Sequence, residues 1–155
     1  MKRSAGFSLI EALIVIAIGI TMAAIAIPQA LNAMKNYRLQ AATAGVSGAI
    51  QAARFQAIMH GCAYQLAISS SALTYQTYSE VPSSGSTCLT SFNATTSAIP
   101  IVRQGDATID HDVTMTFKSN GTMAVASGSL PITISNGISS KSLNVSGVGD
   151  VTVTP

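Results

Sequence analysis

Glu11 stands five residues into a 21-residue run, residues 7–27, that holds no other charge. A carboxylate inside such a run costs up to a few kcal/mol unless depth, water or a partner relieves it. Its chemistry is therefore charge pairing. Cys62 and Cys88 can form a disulfide or stand as two separate buried thiols; they supply neither a CxxC redox pair nor a zinc framework. His111 lies between Asp110 and Asp112, and Asp110 is four residues after Asp106. That cluster fits either a weak divalent-ion site or, more simply, a solvated loop opening a strand. His60 shares no motif with it. Arg38 and Arg54 read as snorkelling heads on the exposed side of a helix. No GxSxG elbow, HExxH, P-loop or dinucleotide fingerprint occurs, and Gly45-Val46-Ser47-Gly48 has the wrong spacing. Catalysis has no support, and neither a cofactor nor a metal is expected.

The elements that must position these residues follow from patterning. A chain of 155 residues, 48% hydrophobic and 9% charged, is too short for two comfortable domains and too apolar for a disordered one. As a helix, residues 7–27 span roughly 31 Å, about the hydrocarbon thickness of a bilayer. Lys2 and Arg3 precede that run, which holds the N-terminus in the cytoplasm and sends the body across. Pro28 is placed to end such a helix. Beyond it, Leu39, Ala42, Val46, Ala49/Ile50, Ala53 and Ala57 recur at three- and four-residue steps, an amphipathic continuation over residues 28–60. Gly45 and Gly48 are read as part of that stripe, allowing close approach, and Gly61 as its stop.

From residue 63 the period becomes two. Tyr64, Leu66 and Ile68, then Leu73, Tyr75 and Thr77, predict a hairpin. Residues 81–98, with Pro82, Ser83, Ser84 and Gly85, read as loop. Strands follow at residues 99–102 and around Val113/Met115/Phe117, Met123/Val125, Ile132/Ile134, Leu143/Val145 and Val151/Val153, with Asn120-Gly121 as a turn. The expected fold class is α+β: a long N-terminal helix laid on an antiparallel β body over residues 61–155. Without Lys2 and Arg3, six basic residues face six acidic ones, so no basic field steers nucleic acid to the body.

Three readings of the N-terminal segment compete. It can be a secretory signal cut after Ala24-Ile25-Ala26, or a plain anchor; both leave Glu11 unexplained. The string Gly6-Phe7-Ser8-Leu9-Ile10-Glu11-Ala12-Leu13, followed by an apolar helix, resembles the signal of type IV pilins and type II secretion pseudopilins. That resemblance implies a leader of residues 1–6, cut by a prepilin peptidase between Gly6 and Phe7, with the new Phe7 amine methylated. Glu11 would be the assembly residue, its carboxylate four positions along from the new ammonium and on the same side of the helix. In a bundle, one subunit's carboxylate would meet the next subunit's amine. Pro28 would mark a kink or local unwinding.

Asn36-Tyr37-Arg38-Leu39, Ala52-Ala53-Arg54-Phe55-Gln56-Ala57-Ile58, Phe117-Lys118-Ser119-Asn120-Gly121-Thr122 and Val145-Ser146-Gly147-Val148-Gly149-Asp150-Val151 are similar to the subgroup of H-type pseudopilins and FimT/FimU minor pilins. The resemblance implies a pilin-like fold and a structural subunit of a secretion pseudopilus or a type IV pilus, at the tip or initiation complex. Implied partners are other pilin or pseudopilin subunits, the prepilin peptidase, the inner-membrane assembly platform and ATPase, and membrane lipid before assembly. The implied location is the inner membrane, single-pass with a periplasmic body, and then the filament. A tip adhesin or DNA-binding minor pilin is the alternative. Nucleic acid is disfavoured, because Asp150 follows Gly149 where members of the subgroup carry a basic tail.

Overall fold

A computed structural model describes residues 8–82, 87–102 and 105–155. Lys2, Arg3, Gly6, Phe7, Ser83, Ser84, Gly85 and Arg103 lie outside them. Helix α1 runs Leu9–His60. The Ser8 carbonyl opens it, accepting the Glu11 and Ala12 N–H groups at 3.1 Å each, and Gly61 at φ 66° closes it in the left-handed conformation that glycine adopts without penalty. Pro28 lies inside α1. The reading of that proline as a helix end is thus corrected: the helix continues through it despite the lost hydrogen bond and ring clash, which cost about 3 kcal/mol or more in a helix interior.

The chain divides into two units, one up to Met34 and one from Lys35. In the first, residues 8–34 are helical from Leu9 onward and none is buried. In the second, α1 buries Leu39, Ala42, Thr43, Val46, Ala49, Ile50, Ala53 and Ala57, the expected stripe with Thr43 added. Thr43 tolerates burial because its hydroxyl donates to the Leu39 carbonyl at 2.8 Å. The reading of Gly45 and Gly48 fails. Both are exposed, and a Cβ on either would meet nothing within 4 Å. At 3.6 residues per turn they lie about 100° and about 160° round the helix from Val46.

Among the described residues ten strands follow: β1 Tyr64–Ser69, β2 Thr74–Ser79, β3 Asn93–Ala94, β4 Ile99–Pro100, β5 Thr108–Ile109, β6 Val113–Phe117, β7 Met123–Ser127, β8 Ile132–Ser135, β9 Ser140–Val145 and β10 Val151–Thr154. They form two antiparallel sheets. The first has the order β3-β2-β1-β6-β7, with β4 also paired to β2; the second has the order β10-β9-β8-β5. The predicted hairpin is β1–β2, with Leu66 opposite Thr77 and Ile68 opposite Tyr75.

On the other side β1 pairs with β6, setting Leu66 opposite Met115 and Tyr64 opposite Phe117. Alternation points Tyr64, Leu66, Ile68, Val113, Met115 and Phe117 inward, into one core with Val46, Ile50 and Ala53 of α1 and Ile132, Ile134, Leu143 and Val145 of the second sheet. Each large side chain so buried contributes roughly 1.5–3 kcal/mol. Three details depart from expectation. The 81–98 loop holds the short β3, the 99–102 strand is only β4, and β5 carries no alternation long enough to read.

Candidate functional site

Residues 9–27 carry the first candidate. Leu9, Ile10, Leu13, Ile14, Ile16, Ile18 and Ile20 are each more than half exposed, so the apolar side chains crowd every face of this part of α1. It is long and apolar enough to cross a membrane. Glu11, in the first turn and exposed, stands three residues after Ser8, where the partial positive charge of a helix N-terminus favours an anion by about 0.3–1 kcal/mol. Gly6 and Phe7, the expected cleavage pair, lie outside the described residues.

The two arginines are not snorkelling heads. Arg38 Nη1 donates to Asp106 Oδ1, 68 residues away. That exposed pair contributes at most about 1 kcal/mol, and it takes Asp106 out of the cluster around His111. Arg54 Nε donates to the Gly121 carbonyl at 3.2 Å. Its side chain fits there because two turns close on glycine. A Cβ on Gly149, at φ 79°, would lie 2.7 Å from Arg54 Cδ and 3.0 Å from the Gly121 oxygen. The Met123 N–H donates to the Gly147 carbonyl at 2.8 Å, so the β6–β7 and β9–β10 turns, one from each sheet, meet over Arg54. Beside them Gln51, Arg54, Phe55, Ile58, Gly149 and Asp150 line an open cleft of about 380 Å³.

Cys62 and Cys88 are bonded, with Cα atoms 5.6 Å apart, so the separate-thiol reading is set aside. The bridge ties the segment just after α1 to the long loop beyond β2. His60, at the end of α1, stacks on Tyr64 with ring centroids 5.9 Å apart and reaches Gln56 Oε1 at 3.1 Å. Asp112 accepts the N–H and hydroxyl of Ser70, both at 2.6 Å; the hydroxyl first, then the N–H, holds its carboxyl below the usual 3.8. Asp110 accepts the Thr133 N–H at 3.0 Å. These carboxylates serve as turn and strand acceptors, and among the described residues no group of three His, Cys, Asp or Glu is placed to hold a metal ion.

A contact that sequence reasoning missed is Asn136 Nδ2 donating to Asn36 Oδ1 at 3.0 Å across 100 residues. No pattern along the chain signals a side-chain pair at that separation.

A family model described as the prokaryotic N-terminal methylation motif matches residues 1–27. The match takes in Gly6, Phe7, Glu11 and the apolar run to Ile27. A long N-terminal helix followed by antiparallel sheets, under that motif, is consistent with a type IV pilin-like protein of α+β pilin-like fold. The motif points to a structural subunit rather than an enzyme, and it implies processing by a prepilin peptidase and assembly with other pilin subunits. No curated protein and no solved structure matches the chain.

Proposed function

We propose that this protein is a minor pilin or pseudopilin, a low-abundance structural subunit that joins the tip or initiating complex of a type IV pilus or a type II secretion pseudopilus. The observation that carries the reading is an apolar helical segment, residues 9–27, with no buried residue and one carboxylate at position 11, lying under a methylation motif. Such a surface needs a cover from outside the chain: lipid first, then the helices of neighbouring subunits.

The steps follow from charge and burial. Residues 7–27 insert with the N-terminus in the cytoplasm. Cleavage between Gly6 and Phe7 removes Lys2 and Arg3 and exposes the Phe7 amine, which stays a cation after methylation. Glu11 is the anion that a neighbouring subunit's amine meets in the apolar bundle. An unpaired charge there is strongly penalised, so pairing sets the axial register. The disulfide suits a body on the oxidising side of the membrane. The assembly platform and ATPase act from the membrane and cytoplasm, and Pro28 is where the helix adjusts on leaving lipid. Asp150, exposed at the β9–β10 turn, repels phosphate and counts against a nucleic-acid receptor at the tip.

The experiment is incorporation of Glu11→Ala. That variant inserts and is cut, because the apolar run and Gly6 are unchanged, but is depleted from sheared or overexpressed filaments relative to the membrane pool. Incorporation equal to the wild type contradicts the pairing.

A further inference from the structure

The chain passes between the two sheets at residues 110–112, from β5 to β6, and at residues 128–131, from β7 to β8. The two crossovers touch through their backbones, since a Cβ on Gly128 would lie 2.3 Å from the Asp112 carbonyl oxygen. His111 belongs to the first and reaches the second. Its Nδ1 is 3.0 Å from Asp110 Oδ1, and its Nε2 is 2.8 Å from the Ser129 carbonyl oxygen. The same Asp110 oxygen takes the His111 backbone N–H and the Thr133 N–H of β8, each at 3.0 Å.

The Asp110 carboxylate and the Ser129 carbonyl can only accept, whereas Ser129 Oγ, 3.3 Å from Nε2, can also donate. Neutral imidazole has one N–H, so it donates to one acceptor only, and a bare Nε2 exchanges the 2.8 Å bond to the Ser129 carbonyl for the longer contact from the Ser129 hydroxyl; imidazolium donates to both acceptors. We propose that His111 is a proton-operated latch between the two sheets, closed when the ring is cationic and bridging Asp110 to Ser129, and loosened on one side when the ring loses its proton.

The ionisable groups acting on the ring are Asp110 and Asp112; the β1–β2 turn brings only Ser70 and β8 only Thr133, neither of which titrates here. The Ser129 carbonyl raises His111 above its ordinary 6.5, the Asp110 charge adds to this, and partial desolvation opposes both. A value raised by folding gives stabilisation that is complete below 6.5 and lost as pH rises through the folded value. Asp112, held below 3.8, works in the opposite window: its contribution is present above 3.8 and fades only in strong acid.

The test uses the full chain in detergent micelles. The His111 ring is titrated by NMR, resolved from His60, while exchange of the Thr133 amide is followed at about pH 5 and about pH 8 and corrected for the intrinsic pH dependence of exchange. The expected results are a ring midpoint above 6.5 that falls back in Asp110→Asn, Thr133 protection several-fold lower at the higher pH, and pH-independent protection in His111→Gln. A wild-type ring midpoint at or below 6.5, flat Thr133 protection in the wild type, or the same drop in His111→Gln overturns the latch.

Discussion

The two parts of α1 show how one helix can meet its surroundings in opposite ways. Over residues 9–34 the apolar side chains face every direction and none is buried; over residues 35–60 one stripe of them is buried, with Val46 and Ile50 at most 1% exposed, while Tyr37, Phe55, Ile58 and Met59 stay exposed. The second part is covered by the protein's own sheets. The first has no cover within its unit, so its stability and its purpose depend on lipid or on other chains. Burial inside the body is a matter of folding, and on the proposed function burial of residues 9–27 is a matter of assembly.

Substitutions separate the two most sharply at the core. Phe117→Ala, at a position with no exposure, should lower the body's unfolding free energy by about 3–5 kcal/mol in urea titration. Ile16→Ala, at 58% exposure, should change it by no more than about 0.5 kcal/mol. An equal effect of the two would erase the distinction.

The disulfide comes next. Cys62→Ser with Cys88→Ser should cost roughly 3–4 kcal/mol by the loop-entropy account, read in the same titration with membrane insertion intact. Glycine positions sharpen the picture at smaller scale. Gly128→Ala at φ 83°, with the Asp112 oxygen in the way, should cost roughly 1–3 kcal/mol in strain before the clash is added; Gly137→Ala at φ 80°, open on all sides, should cost measurably less. Smallest is Arg38→Ala, which loses an exposed ion pair and about 1 kcal/mol or less in thermal or urea unfolding of the full chain.

What the sequence makes legible is what repeats. The stripe from Leu39 to Ala57 recurs for five turns, and Tyr64/Leu66/Ile68 alternates long enough to fix both a strand and its inward face. Glu11 stands out because a charge in an apolar run has few explanations. Two-residue strands such as β5 have no period to detect. The division of the strands into two sheets is decided at crossovers such as residues 110–112 and 128–131, where no hydrophobic pattern runs. Gly45 and Gly48 misled because glycine suggests close approach while its angle round the helix is what decides contact. The partners of Arg38 and Arg54 lie 68 and 67 residues away, and spacing along the chain carries no information at that range.

The central claim is that residues 9–27 serve assembly after processing at the Gly6–Phe7 bond. Intact-mass and peptide mass spectrometry of the N-terminus of the chain isolated from cells tests it most directly. The account predicts a mature chain beginning at N-methylated Phe7. A chain that keeps its first six residues while entering filaments normally, or one that begins at Ile27, contradicts it.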